Sequence, residues 1–216
     1  MSIRLLIQKI YSSFDSEVNA YGQGYPTTII KMAGCNMDCP HCDIDYGPLK
    51  SSQMSIQEII EFIKTKKVTI TGGEPLLQTE NLSVLLDRLI NKNIHITIKT
   101  NGSLPLLAVD SELASYVVDF KLHDPESFLF ENVKNLSTYD WIKFVIDSNE
   151  QYRQALVYIR AIKQINSCVK IALSPIHKIK AGKHIITPTP EELLSWMILD
   201  EITDNTVNFQ LHKFIR

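Results

Sequence analysis

Val68-Thr69-Ile70-Thr71-Gly72-Gly73-Glu74-Pro75 is a β-branched run that stops on two glycines. The first four residues suit a strand and the glycines end it. Upstream, Ser55 and Glu58 form a capping box, and Ile56, Ile59, Ile60 and Ile63 then mark one helical face. Downstream, Leu82, Leu85, Leu86 and Leu89 mark a second helix that stops near Asn91 and Asn93. A strand over 94–98 follows and ends at Thr100-Asn101-Gly102. Further strands are expected at 116–122, 141–146, 169–173 and 207–211. Ser148 and Gln151 cap a long helix carrying Leu156, Ile159 and Ile162. Thr189, Pro190 and Glu192 open a last one through Trp196, with proline where its missing N–H costs nothing. Alternating strands and helices predict one α/β domain over residues 1–216 with a mostly parallel sheet, either open or an incomplete barrel. Ligands of such folds gather beyond the C-terminal strand ends. The turns at Thr71–Glu74 and Thr100–Gly102 lie there.

Bulk properties fit this frame. Hydrophobic residues make up 44% and charged residues 21% of 216, ordinary values for a globular chain. A net charge of −2 supplies no global field toward nucleic acid or an anionic membrane. The opening MSIRLLIQKIYSSF is too interrupted for a signal peptide, and no apolar stretch suffices to span a bilayer. The expected location is cytoplasmic, where four cysteines act as metal ligands or buried thiols rather than disulfides.

Three of those cysteines fall in Gly34-Cys35-Asn36-Met37-Asp38-Cys39-Pro40-His41-Cys42-Asp43, a C-x3-C-x2-C spacing. One loop can wrap three such thiolates around a single iron–sulfur cubane. The remaining cysteine, Cys168, stands in Asn166-Ser167-Cys168-Val169, which reads as entry to a buried strand. Three ligands leave one iron of a [4Fe–4S] cluster exchangeable, as in a catalytic metal site. That iron can chelate the amino and carboxylate groups of S-adenosylmethionine and reduce its sulfonium. The alternative from the same residues is a zinc site of three cysteines and His41, although the adjacency of His41 to Cys42 makes tetrahedral closure awkward. In the first reading, Gly72 and Gly73 admit the methionine amino group, and Glu74 accepts from its ammonium.

Together, the cysteine loop and the Gly72-Gly73-Glu74-Pro75 turn about 30 residues later resemble the radical S-adenosylmethionine superfamily, whose small members are incomplete (β/α) barrels. Several further segments resemble one of its families, the 7-carboxy-7-deazaguanine synthases. Ser13-Phe14-Asp15-Ser16-Glu17 sits at that family's S-I-Q-G-E-like loop, and Tyr25-Pro26-Thr27 through Asn36 at its entry to the cluster. Thr100 to Pro105 is similar to its T-N-G-S segment, and Asp119-Phe120-Lys121 falls at its S-P-K strand end. Ile142 to Ile146 matches its L-K-V-V strand, Ser174-Pro175 its Q-P step, and Gln210-Leu211-His212-Lys213-Phe214 its Q-x-H-K-Y tail.

The resemblance implies a lyase that converts 6-carboxy-5,6,7,8-tetrahydropterin to 7-carboxy-7-deazaguanine with loss of ammonia, for queuosine or deazapurine biosynthesis. It implies a reductant such as flavodoxin or ferredoxin, and a homodimer. By position, Cys35, Cys39 and Cys42 hold the cluster. His41, Cys42, Asp43, Gly72, Gly73, Glu74, Asp119, Phe120, Lys121 and Ser174 surround S-adenosylmethionine. Asp15, Ser16, Glu17, Lys31, Thr71, Lys99, His212 and Arg216 line the substrate pocket. The departures cluster at the substrate end: Asp15-Ser16 for the family's Q-G, Lys31 for its arginine, and Lys99 for its glutamate. Lys31 keeps charge and loses the two-pronged guanidinium, and Lys99 cannot accept a hydrogen bond at all. Ile44 replaces a threonine whose oxygen reaches Mg²⁺, leaving Asp43 or Asp45 as the nearby carboxylates. Two further readings use the same scaffold, a different small substrate or a glycyl-radical activase. An electron carrier or zinc module is the non-enzyme alternative.

Overall fold

The computed structural model describes residues 3–40, 42, 51–180 and 183–213. The expected alternation is present and stands in one sheet of order β10-β8-β7-β6-β5-β4-β2-β1-β3, where β1 is Arg4–Phe14, β2 Pro26–Met32, β3 Ser52–Ser55, β4 Lys67–Gly72, β5 His95–Thr100, β6 Ala114–Phe120, β7 Trp141–Ile146, β8 Lys170–Lys180 and β10 Thr206–Val207. From β2 through β10 every neighbouring pair is parallel, while β1 runs antiparallel to both β2 and β3. The strand path has two ends and does not close, as expected of an incomplete barrel.

Three of the four described helices begin where the caps place them. Helix α1 (Ile56–Phe62) carries the Ser55–Glu58 capping box, and α3 (Asn149–Ile165) starts at Ser148 Oγ, which accepts from Gln151 N at 3.3 Å. Helix α4 (Pro190–Leu199) has the Thr189–Glu192 box with proline in its first turn. Helix α2 (Thr79–Ile90) buries Leu82, Leu85, Leu86 and Leu89, as their spacing requires. These faces pack on Ile30, Met32, Val68, Ile70, Ile96, Ile98, Ile142 and Phe144, so the main core lies between the helices and the outer face of the sheet.

Several boundaries differ from expectation. The strand expected at 116–122 runs two residues earlier, because Lys121 already accepts from Asp124 N in a turn. Strand β8 continues past 173 and forms a hairpin with β9 (Lys183–Thr187). The strand expected at 207–211 is corrected: it shrinks to Thr206–Val207, and Leu211–Lys213 form a 3-10 turn. No helix among the described residues is long and apolar enough to cross a membrane.

Candidate active site

Alternation along the parallel strands puts one set of residues on the helix-covered face and the other on the inner face. Lys67, Thr69, Lys99, Asp119 and Lys143 belong to the second set. A segment at the end of β1, Asp15 to Asn19, crosses that inner face. Val18 packs there with Val117 and Ala172 against Trp141, a small apolar cluster separate from the main core. Below it, the buried Lys67 ammonium meets Asp15 Oδ2 and donates to Asn19 Oδ1 at 2.6 Å, while Thr69 Oγ1 donates to Asp15 Oδ2 at 2.9 Å.

Above it runs a ladder of alternating charge. Lys99 Nζ lies 2.7 Å from Glu17 Oε2 and 3.9 Å from Asp15 Oδ1, a buried oxygen with no hydrogen-bond donor. Lys143 Nζ lies 2.7 Å from Glu17 Oε1 and 3.0 Å from Asp119 Oδ1, and Lys121 Nζ lies 2.9 Å from Asp119 Oδ2. Burial alone would raise the Glu17 carboxyl, but the ammoniums of Lys143 and Lys99 outweigh it and hold it well below the usual carboxylate range. Burial works against the Lys143 ammonium, yet Asp119 and Glu17 hold its pKa above the ordinary lysine value.

The last described residues complete the floor. Gln210 Nε2 donates to Glu17 Oε1 at 3.2 Å, His212 Nδ1 is 2.8 Å from Ser16 Oγ, and Val18 N donates to Asn208 Oδ1 at 2.8 Å. Thus Asp15, Ser16, Glu17, Lys99 and His212 come together as the sequence suggests. Lys31 and Thr71 face one another in register at the ends of β2 and β4.

Gly72 and Gly73 stand where two backbone segments approach closely. Gly72 adopts φ +119, and a Cβ there would meet the Met32 backbone at 2.3 Å. At Gly73 a Cβ would stand 1.6 Å from the Gly34 carbonyl oxygen. Gly73 N donates to Met32 O at 3.0 Å and Glu74 N to Gly34 O at 2.7 Å. The two glycines therefore admit the backbone entering the cysteine loop.

Glu74 ties this turn to the next one. Its carboxylate is wholly buried, with Oε1 accepting from Leu76 N at 2.9 Å and Thr100 Oγ1 at 2.8 Å, and Oε2 from Asn101 N at 2.8 Å. It positions the two turns against each other. From the second turn, Asn101 Nδ2 donates to Asn36 Oδ1 at 3.0 Å and Asn36 Nδ2 to Ser103 Oγ at 2.8 Å, which ties the cysteine loop to the same frame.

Two more residues expected near the cofactor, Phe120 and Ser174, have buried side chains. The Phe120 ring is buried on the helix side, stacked 4.9 Å from Phe144 and 4.6 Å from Phe128, so its side chain belongs to the core. Ser174 is buried too, and its Oγ accepts from Asn208 Nδ2 at 2.9 Å. His41, Asp43, Ile44, Asp45, Phe214 and Arg216 lie outside the described residues.

The thiols fit an iron–sulfur cubane with three protein ligands. Burial pushes the Cys39 thiol up, against the pull of the Lys121 ammonium, and the nearby Cys35 and Cys42 add to the rise. These three cysteines are thus within electrostatic reach of one another. Among the described residues no three His, Cys, Asp or Glu side chains meet closely enough for a single ion. A cubane carries its thiolates on separate irons and needs no such convergence. Cys168 is exposed and precedes β8, at the opposite end of the parallel strands from the cysteine loop, which follows β2. In the sheet order β8 stands five strands from β2, so Cys168 belongs to a different part of the fold from the cysteine loop. A cavity of about 260 Å³, lined by Tyr21, Lys67, His95, Thr97, Ser115 and Tyr139, opens at that opposite end. It lies away from the ladder and the thiols, and Lys67 with Asp15 separates the two spaces.

Lys67, Thr69, Lys143, Asn208 and Gln210 join this site without having been placed in it from sequence. One signal was available: Lys67-x-Thr69-x-Thr71 and His95-x-Thr97-x-Lys99 alternate polar with apolar residues. A parallel strand covered on both faces reads as continuously apolar, so such alternation marks a polar interior.

Comparison with known proteins agrees with this geometry. The family model described as Radical SAM superfamily matches residues 29–204. A 7-carboxy-7-deazaguanine synthase of Koribacter versatilis is 32% identical, the match covering 97% of this chain and 96% of that one. Synthases of the same name from Methanospirillum hungatei and Clostridium acetobutylicum are each 31% identical, over 97% and 96% of this chain and 84% and 95% of theirs. The crystal structure of QueE from Escherichia coli superposes with a TM-score of 0.70 at 19% identity, covering 96% of this chain and 94% of that one, a likeness of fold. The chain belongs to the radical SAM superfamily and, within it, to the 7-carboxy-7-deazaguanine synthase family.

Proposed function

We propose that this radical SAM lyase converts 6-carboxy-5,6,7,8-tetrahydropterin to 7-carboxy-7-deazaguanine with loss of ammonia, on the inner face above Asp15–Glu17. The observation that carries this reading is that the two segments resembling the family's substrate loop and tail meet there, Gln210 on Glu17 at 3.2 Å and His212 on Ser16 at 2.8 Å. Cys35, Cys39 and Cys42 would hold the cluster, with His41, Asp43, Asp119 and Lys121 around S-adenosylmethionine. When bound, that pair supplies a one-electron route to breaking an unactivated C–H bond. The chain's own residues orient the ring and exclude water from it. Lys31, Thr71, Lys99, His212 and Arg216 line the ring, and Glu17 acts through the lysines it fixes.

The whole of 1–216 forms this one domain in our reading. A homodimer and a flavodoxin or ferredoxin reductant follow the family resemblance. Mg²⁺, if bound, has Asp43 or Asp45 in place of the oxygen that Ile44 lacks.

One observation favours a second reading, the same scaffold acting on a different small substrate. Lys99 holds Glu17 Oε2 at 2.7 Å, so that oxygen is already occupied before any ring arrives. Anaerobic reconstitution followed by S-adenosylmethionine, a reductant and the carboxypterin tests both. The first reading expects a deazaguanine chromophore. 5′-Deoxyadenosine without that chromophore would sink it in favour of the second.

A further inference from the structure

A β-bulge sets two lysines opposite one another at the edge of the inner face. In β1, Ile7 pairs with Met32 and both belong to the main core, but the register then slips, and Lys9 rather than Gln8 stands opposite Lys31. Strict alternation would leave Lys9 and Tyr11 on the core face with Ile7. The slip sends Ile10 to that core instead and turns Lys9 and Tyr11 to the inner face beside Lys31. Bulges re-aim side chains in this way next to functional sites.

The resulting arrangement is unfavourable by itself, since like charges directly opposite across two strands destabilise the pair. Among the described residues, neither Lys9 nor Lys31 has a carboxylate at ion-pair distance, whereas Lys67, Lys99, Lys121 and Lys143 each have one. What holds them together is an aromatic ring. Lys9 Nζ lies 5.1 Å and Lys31 Nζ 6.0 Å from the centre of the Tyr11 ring. A cation over a ring face is attracted by the ring's quadrupole, which can order an ammonium without neutralising its charge.

We propose that Lys9 and Lys31 form a two-point clamp for a carboxylate, ordered by the Tyr11 ring, with one carboxylate oxygen for each ammonium. The identity of the ligand rests on the substrate reading above, and Lys9 and Tyr11 are added to it as specificity-determining residues. No bond is made or broken at the clamp. It selects an anion and fixes the side of the ring that carries it.

Calorimetric titration of the reconstituted protein with pterin-6-carboxylate, with unsubstituted pterin and with benzoate tests the clamp without turnover. The wild type should prefer pterin-6-carboxylate to pterin by roughly tenfold or more, the worth of a charge-assisted contact. Lys9→Gln and Tyr11→Leu should lose that preference while binding pterin unchanged. Lys9→Arg and Tyr11→Phe should keep it, since charge and ring face survive. In turnover, Lys9→Gln should raise KM about tenfold with kcat retained. Lys9-dependent binding of benzoate alone would keep the clamp and sink the pterin reading. If Lys9→Gln binds all three ligands as the wild type does, or if the wild type shows no preference for the carboxylates, the clamp is wrong.

Discussion

Glu17 Oε1 lies 2.7 Å from Lys143 Nζ, although 126 residues separate them in the chain. Lys143 is also 3.0 Å from Asp119, so one ammonium joins the N-terminal segment to the middle of the sheet. Both ends of this pair are almost wholly buried, and the interaction differs in kind from a surface ion pair.

Removing one partner should therefore be costly. Lys143→Met leaves the Glu17 and Asp119 carboxylates one cation short, and such breakage costs about 3–5 kcal/mol. The urea midpoint should fall accordingly, with the slope retained. Adding Glu17→Gln should recover part of the loss, because Asp119 keeps Lys121. A Lys143→Met protein as stable as the wild type would show that the ladder contributes nothing.

Acid should act through the same carboxylate. The folded Glu17 carboxyl is held well below its ordinary value of 4.5, so its stabilisation is complete above that pH and drains away as the pH falls through the lower folded value. Glu74 carries the opposite sign. Burial raises it against three hydrogen bonds, so its contribution is full below 4.5 and is lost as the pH rises through the folded value. Urea midpoints measured below pH 4.5 should decline for the wild type, and the decline should shallow in Glu17→Gln. Equal slopes in the two proteins would remove Glu17 from the acid response.

The glycine turn should be required for iron as much as for folding. A Gly73→Ala methyl would overlap the Gly34 oxygen, which can yield only by moving the cysteine loop. After anaerobic reconstitution, the variant should hold less than half the iron and sulfide of the wild type, with its visible absorption reduced in parallel. Full iron content in Gly73→Ala would contradict the close approach.

Cysteine substitutions should divide by place in the fold. Serine at Cys35, Cys39 or Cys42 should abolish the brown colour, whereas Cys168→Ser should leave iron content and spectrum unchanged. Loss of iron in Cys168→Ser would return the fourth thiolate to the cluster and remove the open coordination position.

Much of this architecture could be read from residues alone, and the gaps have physical causes. The caps at Ser55, Ser148 and Thr189 fixed three helix starts because each is a local hydrogen bond, independent of tertiary context. Strand β7 matched its expected bounds, being a short apolar run broken only by Lys143. Strand β1 escaped notice because the slip between Ile7 and Lys9 reverses its apolar phase midway, which erases the period on which strand detection depends. In the site, the cysteines and glycines were legible because their chemistry constrains spacing. The partners of Glu17 were not, since Lys99, Lys143 and Gln210 reach it only through the curl of the sheet. The hydrogen bonds of Glu74 to Thr100 and Asn101 were equally hidden, since those partners lie one strand away.

The seam between Val18 and Asn208, and between Glu17 and Gln210, spans 190 and 193 positions of sequence. The chamber is therefore closed by the two ends of the chain together, and removing residues from 208 onward would take away a hydrogen-bond partner from both Val18 and Glu17.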